Sequence, residues 1–129
     1  MENINTFLNT HNFELIEQKS STNFGDQSKV FSDNNMCIRI STIRSVFTID
    51  ACNFEDNDNW FDLALLKALL YNEKQLNKPL NKTDYLTFLE NEIDVIKKLF
   101  VLPNYSLIKL KLHELEKLRV KQMFPNLNR

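Results

Sequence analysis

Apolar positions along the chain change their period near residue 59. Before it they tend to alternate with polar ones, and after it they recur every three or four residues. Ile4, Phe7 and Leu8 fall on one side of a short helix over 3–10. Phe13, Leu15 and Glu17 open a mixed pattern that reads as a strand, and a turn-rich stretch, SSTNFGDQS, follows around Gly25 and Asp26. A short strand is expected over 29–32, then a turn at Asp33, Asn34 and Asn35. The next strand, 36–41, sets Met36, Ile38 and Ile40 on one face and Cys37 and Arg39 on the other. Thr42, Ile43 and Arg44 make a second connection. Residues 45–52, SVFTIDAC, then place Val46 and Thr48 opposite Phe47 and Ile49. Alternation rich in β-branched and aromatic residues, bounded by Asn and Asp, is a strand pattern. The connections are short, and a parallel crossover needs about a dozen residues, so the strands form an antiparallel meander of three to four strands.

From residue 59, WFDLALLKALLYNEKQL carries apolar residues almost all the way round a helix. Such a helix belongs in the middle of a core. Asp58 or Asn59 is placed to cap it, and Asp62 in its first turn suits the helix dipole. Asn77, Lys78 and Pro79 end it, because the residue before proline is biased away from helix. A second helix, capped by Thr83, carries the stripe Tyr85, Leu86, Leu89, Ile93, Ile96 and Phe100. Pro103 and Asn104 break it. A third runs from Asn104 or Ser106 to about Met123, where Pro125 stops it. Residues 107–112, LIKLKL, alternate like a strand, so the start of this helix stays open. Strands followed by helices define an α+β domain over 1–129: a short N-terminal helix, the antiparallel meander, then three C-terminal helices packed on the sheet. At 129 residues the chain has the length of one compact domain, able to bury roughly two-thirds of its unfolded surface without disulfides or metals.

Composition narrows the chemistry. Gly25 is the single glycine, which excludes the glycine-rich phosphate loops and dinucleotide turns. Seventeen Asn are dispersed along the chain, many at expected turns: Asn34, Asn35, Asn57, Asn59, Asn77, Asn81 and Asn104. Asn tolerates left-handed backbone angles, so it takes over part of glycine's turn work. No apolar run reaches the roughly 18 residues of a membrane span, and the N-terminus lacks the basic flank and cleavage site of a signal peptide. A cytoplasmic protein is expected. Cys37 and Cys52 lie in or beside strand-like runs, where free cysteine behaves as a small buried hydrophobe. A strand-to-strand disulfide is the other reading.

Charge is segregated. Residues 1–62 hold ten acidic and four basic side chains, a net −6, whereas 97–129 hold eight basic and two acidic, a net +6. The acidic half culminates in NFEDNDNWFD, where Phe54, Glu55, Asp56, Asp58, Trp60 and Asp62 crowd together. An acidic, aromatic loop of this kind can dock a basic protein, since complementary potentials speed encounter and aromatics anchor contact. Alternatively, Trp60 and Phe61 enter the core while the acids solvate the connection. Asp56 and Asp58 resemble the start of a calcium loop, but no glycine stands at its sixth position and its twelfth is Lys67, so no metal site is expected. His11 and His113 have no ligand-spaced partners for zinc, and no cofactor is implied.

In the basic half, Lys109, His113, Lys117 and Lys121 recur every four residues, with Lys111 and Arg119 nearby. Phosphate can follow such a stripe. It lacks aromatics for base stacking, so a nucleic-acid partner is not expected; a solvated face crossing near the acidic half is. For catalysis the candidate group is Arg39, Arg44 and Asp50, two guanidiniums at a tight connection with a carboxylate at the strand end, and Asp62 is a further candidate. The group suits anion binding or a salt-bridge network and contains no nucleophile–base pair.

The order of elements, with RISTIRSVFTID (39–50), WFDLALLKALLYNEK (60–74) and LRVKQMFPN (118–126), resembles small bacterial immunity proteins of polymorphic-toxin and contact-dependent inhibition systems. The resemblance implies a small cytoplasmic α+β protein without catalytic motifs that neutralises a cognate toxin by binding it, often with an acidic surface against a basic nuclease. It carries over no binding residue; those come from the charge pattern. Three functions therefore stand as expectations. The first is a non-enzymatic binding protein for a basic toxin domain. The second is a small enzyme or nuclease-like domain using Arg39, Arg44 and Asp50. The third is an interaction module that dimerises through the second or third C-terminal helix; the oligomeric state, monomer or homodimer, stays open.

Overall fold

The computed structural model describes residues 3–21 and 25–126. A short helix, α1 (Ile4–Thr10), leads into a sheet of β1 (Glu14–Ser20), β2 (Gln27–Ser32), β3 (Met36–Ile43), β4 (Val46–Asn53) and β5 (Phe61–Asp62). Three helices follow, α2 (Leu63–Tyr71), α3 (Lys82–Leu99) and α4 (Asn104–Met123). The strands lie in the order β1-β2-β3-β4-β5, every neighbouring pair antiparallel. The class is α+β as expected, but the meander has five strands, not three to four.

The period-2 pattern decides which face each side chain takes. Phe31, Met36, Ile38, Ile49 and Ala51 point to the helices and share one core with Leu63, Leu66, Leu89, Ile96 and Phe100. On the reverse face Val30, Cys37 and Cys52 form a smaller cluster against Trp60. Burying a leucine or isoleucine fully stabilises by about 1.5–3 kcal/mol, so the helix-facing residues carry most of the apolar driving force. Strand β1 is exposed along its whole length. A register shift between Leu15 and Glu17, with Glu14, Glu17 and Lys19 on the strand, protects this free edge from pairing with other chains.

The turns show how a chain with one glycine reverses direction. Arg44 and Ser45, with φ of 51° and 67°, close the β3–β4 hairpin where two left-handed residues are required. The expected connection at 42–44 is therefore displaced: Thr42 and Ile43 stay in the strand, opposite Phe47 and Val46. Asp26 Oδ1 accepts the Arg44 backbone N–H at 2.8 Å and holds this turn. Asn12, Asn34 and Asn72 also take positive φ. Asn3 and Asn81 instead cap helices.

Three helix boundaries differ from the sequence pattern. The helix expected from residue 59 begins at Leu63, because Phe61 and Asp62 pair with Ala51 and Asp50 as a strand. Its cap is Asp62, not Asp58 or Asn59, and Oδ1 accepts the Ala64 N–H at 2.8 Å. The helix ends at Tyr71, where Asn72 turns left-handed and returns its N–H to the Ala68 carbonyl. Such a left-handed residue terminates a helix by satisfying an orphan carbonyl. Helix α3 is capped by Asn81 through the Asp84 N–H, not by Thr83. Residues 107–112 are helical. Tyr105, Ile108 and Leu112 are buried and Leu107 and Leu110 face outwards, so the alternation marks two sides of a helix. Among the described residues no helix is long and apolar enough to cross a membrane.

Candidate functional site

The acidic segment after β4 is held at both ends by its asparagines and aspartates. Asn53 Oδ1 caps a single 3-10 turn, Phe54–Asp56, by accepting the Glu55 N–H at 2.9 Å. Its amide Nδ2 donates to the Phe100 carbonyl at 2.7 Å, tying the turn to the end of α3. The Phe54 N–H donates to the Asn35 carbonyl at 3.0 Å, which ties it to the β2–β3 turn. Asn59 closes the loop, its N–H donating to the Asp56 carbonyl at 3.1 Å.

Asp56 points inwards. It accepts from Lys109 Nζ and Asn59 Nδ2, each at 2.8 Å, and from the Tyr105 hydroxyl. The Lys109 ammonium first, then Tyr105 and Asn59, lower its carboxyl to about 2, since hydrogen bonds to the charged form favour it. Burial, reinforced by Asp56, pushes the Tyr105 phenol up. Asp62 is equally committed. Besides capping α2 it accepts from the Tyr85 hydroxyl at 2.6 Å and from Arg119 Nη1 at 2.9 Å. Burial and the Asp62 carboxylate push the Tyr85 phenol up as well. Two of the six residues expected in a docking loop therefore bind the acidic half of the chain to α3 and α4.

Trp60 is half-buried on the reverse face of the sheet, with the Arg39 guanidinium 4.3 Å from its ring centre. Its neighbour Phe61 enters the core at 1% exposure. Three of the six side chains are exposed: Phe54, at 41%, with Glu55 and Asp58. Phe54 and Glu55 border a depression of about 190 Å³ whose other walls include Asn34, Asn35, Val101 and Leu102. Leu102 is 60% exposed. Pattern along the chain does not show that 34–35 and 101–102 lie beside residue 54; the ties from Asn53 and Phe54 bring them there.

The basic stripe is divided in the same way. Lys109 turns to Asp56, and His113 packs edge-on against Phe61 while its Nδ1 lies 2.8 Å from Glu116 Oε1. Lys117 and Lys121 are exposed. Arg39 and Asp50 face each other across β3 and β4, with Nη2 and Nε at 2.9 and 3.3 Å from Oδ2. Burial raises the Asp50 carboxyl against the opposing pull of Arg39. Arg44 stands in the hairpin turn at the far end of β3, five residues on, roughly 16 Å at strand rise. The structure does not bring it to the Arg39–Asp50 pair.

On the helix side of the sheet, a cleft of about 340 Å³ has Ile40, Phe47 and Leu86 for apolar walls and Lys29 and Lys82 among its polar ones. Among the described residues no three His, Cys, Asp or Glu side chains are grouped to hold a metal ion. No protein-family model matches the chain, and no curated protein or solved structure matches it either.

Proposed function

We propose that the chain is a non-enzymatic protein-binding domain of the immunity type, which neutralises a cognate bacterial toxin through an acidic surface. Phe54, Glu55 and Asp58 form that surface, and the toxin domain they meet is basic. The observation that carries this reading is the division of the loop: Asp56 and Asp62 hold it in place, and an aromatic side chain and two carboxylates are left facing outwards. A contact surface fixed before binding avoids the ordering entropy of a mobile loop. Phe54 and Leu102 supply apolar contact, and the carboxylates steer a cationic partner. Trp60, beneath Arg39, supports the loop.

The reading expects a toxin gene beside that of this chain, and co-purification with the toxin domain it encodes is the test. Wild type is expected to retain it, with affinity falling as salt rises. Glu55→Lys with Asp58→Lys is expected to weaken binding by tenfold or more, about 1.4 kcal/mol. Unchanged binding by that variant removes the surface from the account.

A second reading, dimerisation through α4, is favoured by the exposed Leu107, Leu110 and Leu118 on its outer side. An antiparallel two-fold pairing centred at the level of Leu112 and His113 sets Leu107 opposite Leu118 and Lys111 opposite Glu114, a self-complementary pattern of the kind a two-fold contact needs. Light scattering that gives a monomer at high micromolar concentration excludes it. The enzyme reading on Arg39, Arg44 and Asp50 has no converging geometry to support it.

A further inference from the structure

Cys37 and Cys52 are direct register partners on β3 and β4. Both are free thiols, and both point to the reverse face, where Val30 and Trp60 pack around them. Opposed residues of an antiparallel pair have Cα atoms about 4.5–5.5 Å apart, inside the roughly 4.4–6.8 Å span of disulfides. Bridging them therefore asks for side-chain rotation and little movement of the strands. The two thiols are not equivalent. Cys37 retains 4% exposure and Cys52 none. A hydrogen bond from the Cys52 thiol, helped by the Ser32 hydroxyl and opposed by burial, lowers Cys37 to about 7. The same contact, with burial, pushes Cys52 up. Cys37, the thiol that solvent reaches, is thus placed to react first, with Cys52 beside it to follow.

We propose that Cys37 and Cys52 form a dithiol site that hydrogen peroxide converts to an intramolecular cross-strand disulfide, with Cys37 attacking and Cys52 resolving. The Cys37 thiolate forms an S–O bond as the peroxide O–O bond breaks; hydroxide leaves, sulfur is oxidised to the sulfenic acid and the peroxide is reduced. Cys52 sulfur then attacks Cys37 sulfur. The S–S bond forms, the S–O bond breaks, and the departing hydroxyl takes up the Cys52 proton as water. In sum, two thiols and one peroxide give one disulfide and two waters. Trp60 is the chain's single tryptophan, so its emission reports on the cluster it covers.

The full chain, reduced and then treated with hydrogen peroxide, is digested under non-reducing conditions. One linked peptide joining Cys37 to Cys52 is expected, with the loss of two hydrogen atoms. Trp60 emission is expected to change on oxidation and to return on reduction with dithiothreitol. In Cys52→Ser, whose hydroxyl can still donate to Cys37 but cannot resolve, dimedone is expected to label Cys37. Protein that keeps its folded circular dichroism yet yields both cysteines unlinked overturns the proposal. Links formed only between separate molecules overturn it too.

Discussion

Asp56 and Asp62 differ from Glu55 and Asp58 in nothing the composition records. All four are acids within eight residues of sequence, yet the first two are consumed inside the chain and the second two are exposed. Direction is what separates them. The tight 3-10 turn at Phe54–Asp56 sends Glu55 out and Asp56 towards α4, while the short β5 pairing fixes Asp62 at the start of α2. A run of acids is therefore an upper bound on an acidic surface. Part of this one is the contact between the two oppositely charged ends of the chain, through the pairs Asp56–Lys109 and Asp62–Arg119.

That contrast can be broken at its tied side first. Asp62→Ala removes a helix cap, a bond to the buried Tyr85 hydroxyl and a charged bond to Arg119 together. Caps contribute about 1 kcal/mol and charged hydrogen bonds about 1.5–3, so a loss of about 3 kcal/mol is expected in urea unfolding. A loss below about 1 kcal/mol means the carboxylate is not structural. Asp56→Asn keeps the shape and removes the charge. Its bonds are partly solvent-screened, so about 1 kcal/mol is expected.

The pH dependence gives a sharper signature of the same tie. Asp56 is lowered to about 2, below the roughly 3.9 of an unfolded aspartate. The stability it contributes is full above the unfolded value and is lost as pH falls through the folded one. The gap between wild type and Asp56→Asn should be constant near neutrality, shrink below about pH 4 and close near pH 2. A gap that persists unchanged at pH 2 rules out an ionised Asp56 as its source.

On the untied side the smallest effect is expected. Glu55→Lys with Asp58→Lys should leave unfolding within about 0.5 kcal/mol of wild type, as surface changes usually do. A larger loss would place these side chains in the structural group and erase the distinction.

Much of the fold was legible because alternation and helical stripes have few competing explanations. Met36 and Ile38 face the helices while Cys37 faces away, and Tyr85, Leu86, Leu89, Ile93 and Ile96 are the buried stripe of α3. What escaped was decided by backbone hydrogen bonds or by distant partners. Phe61 and Leu63 are both apolar, so nothing in pattern separates a two-residue strand from the helix it precedes. Leu76 extends the apolar run beyond the point where Asn72 has already ended α2; it is buried within the connection to α3, where its N–H donates to Gln122 of α4. Arg44 and Ser45 form a left-handed turn without the residues that usually mark one, because Asp26 reaches across from before β2. Of the candidate site, the acidic and aromatic character of 54–62 could be read. The inward turn of Asp56 depends on Lys109, 53 positions away, and no local signal records it.

The central claim is that the exposed part of the loop, rather than the whole acidic run, meets a partner. It is tested most directly by titrating the toxin domain expected from a neighbouring gene against wild type and the Glu55→Lys, Asp58→Lys variant, once unfolding confirms that the two are equally stable. The account predicts salt-sensitive binding by wild type and at least a tenfold loss in the variant. Equal affinity for the two proteins, or no binding by wild type, would contradict it.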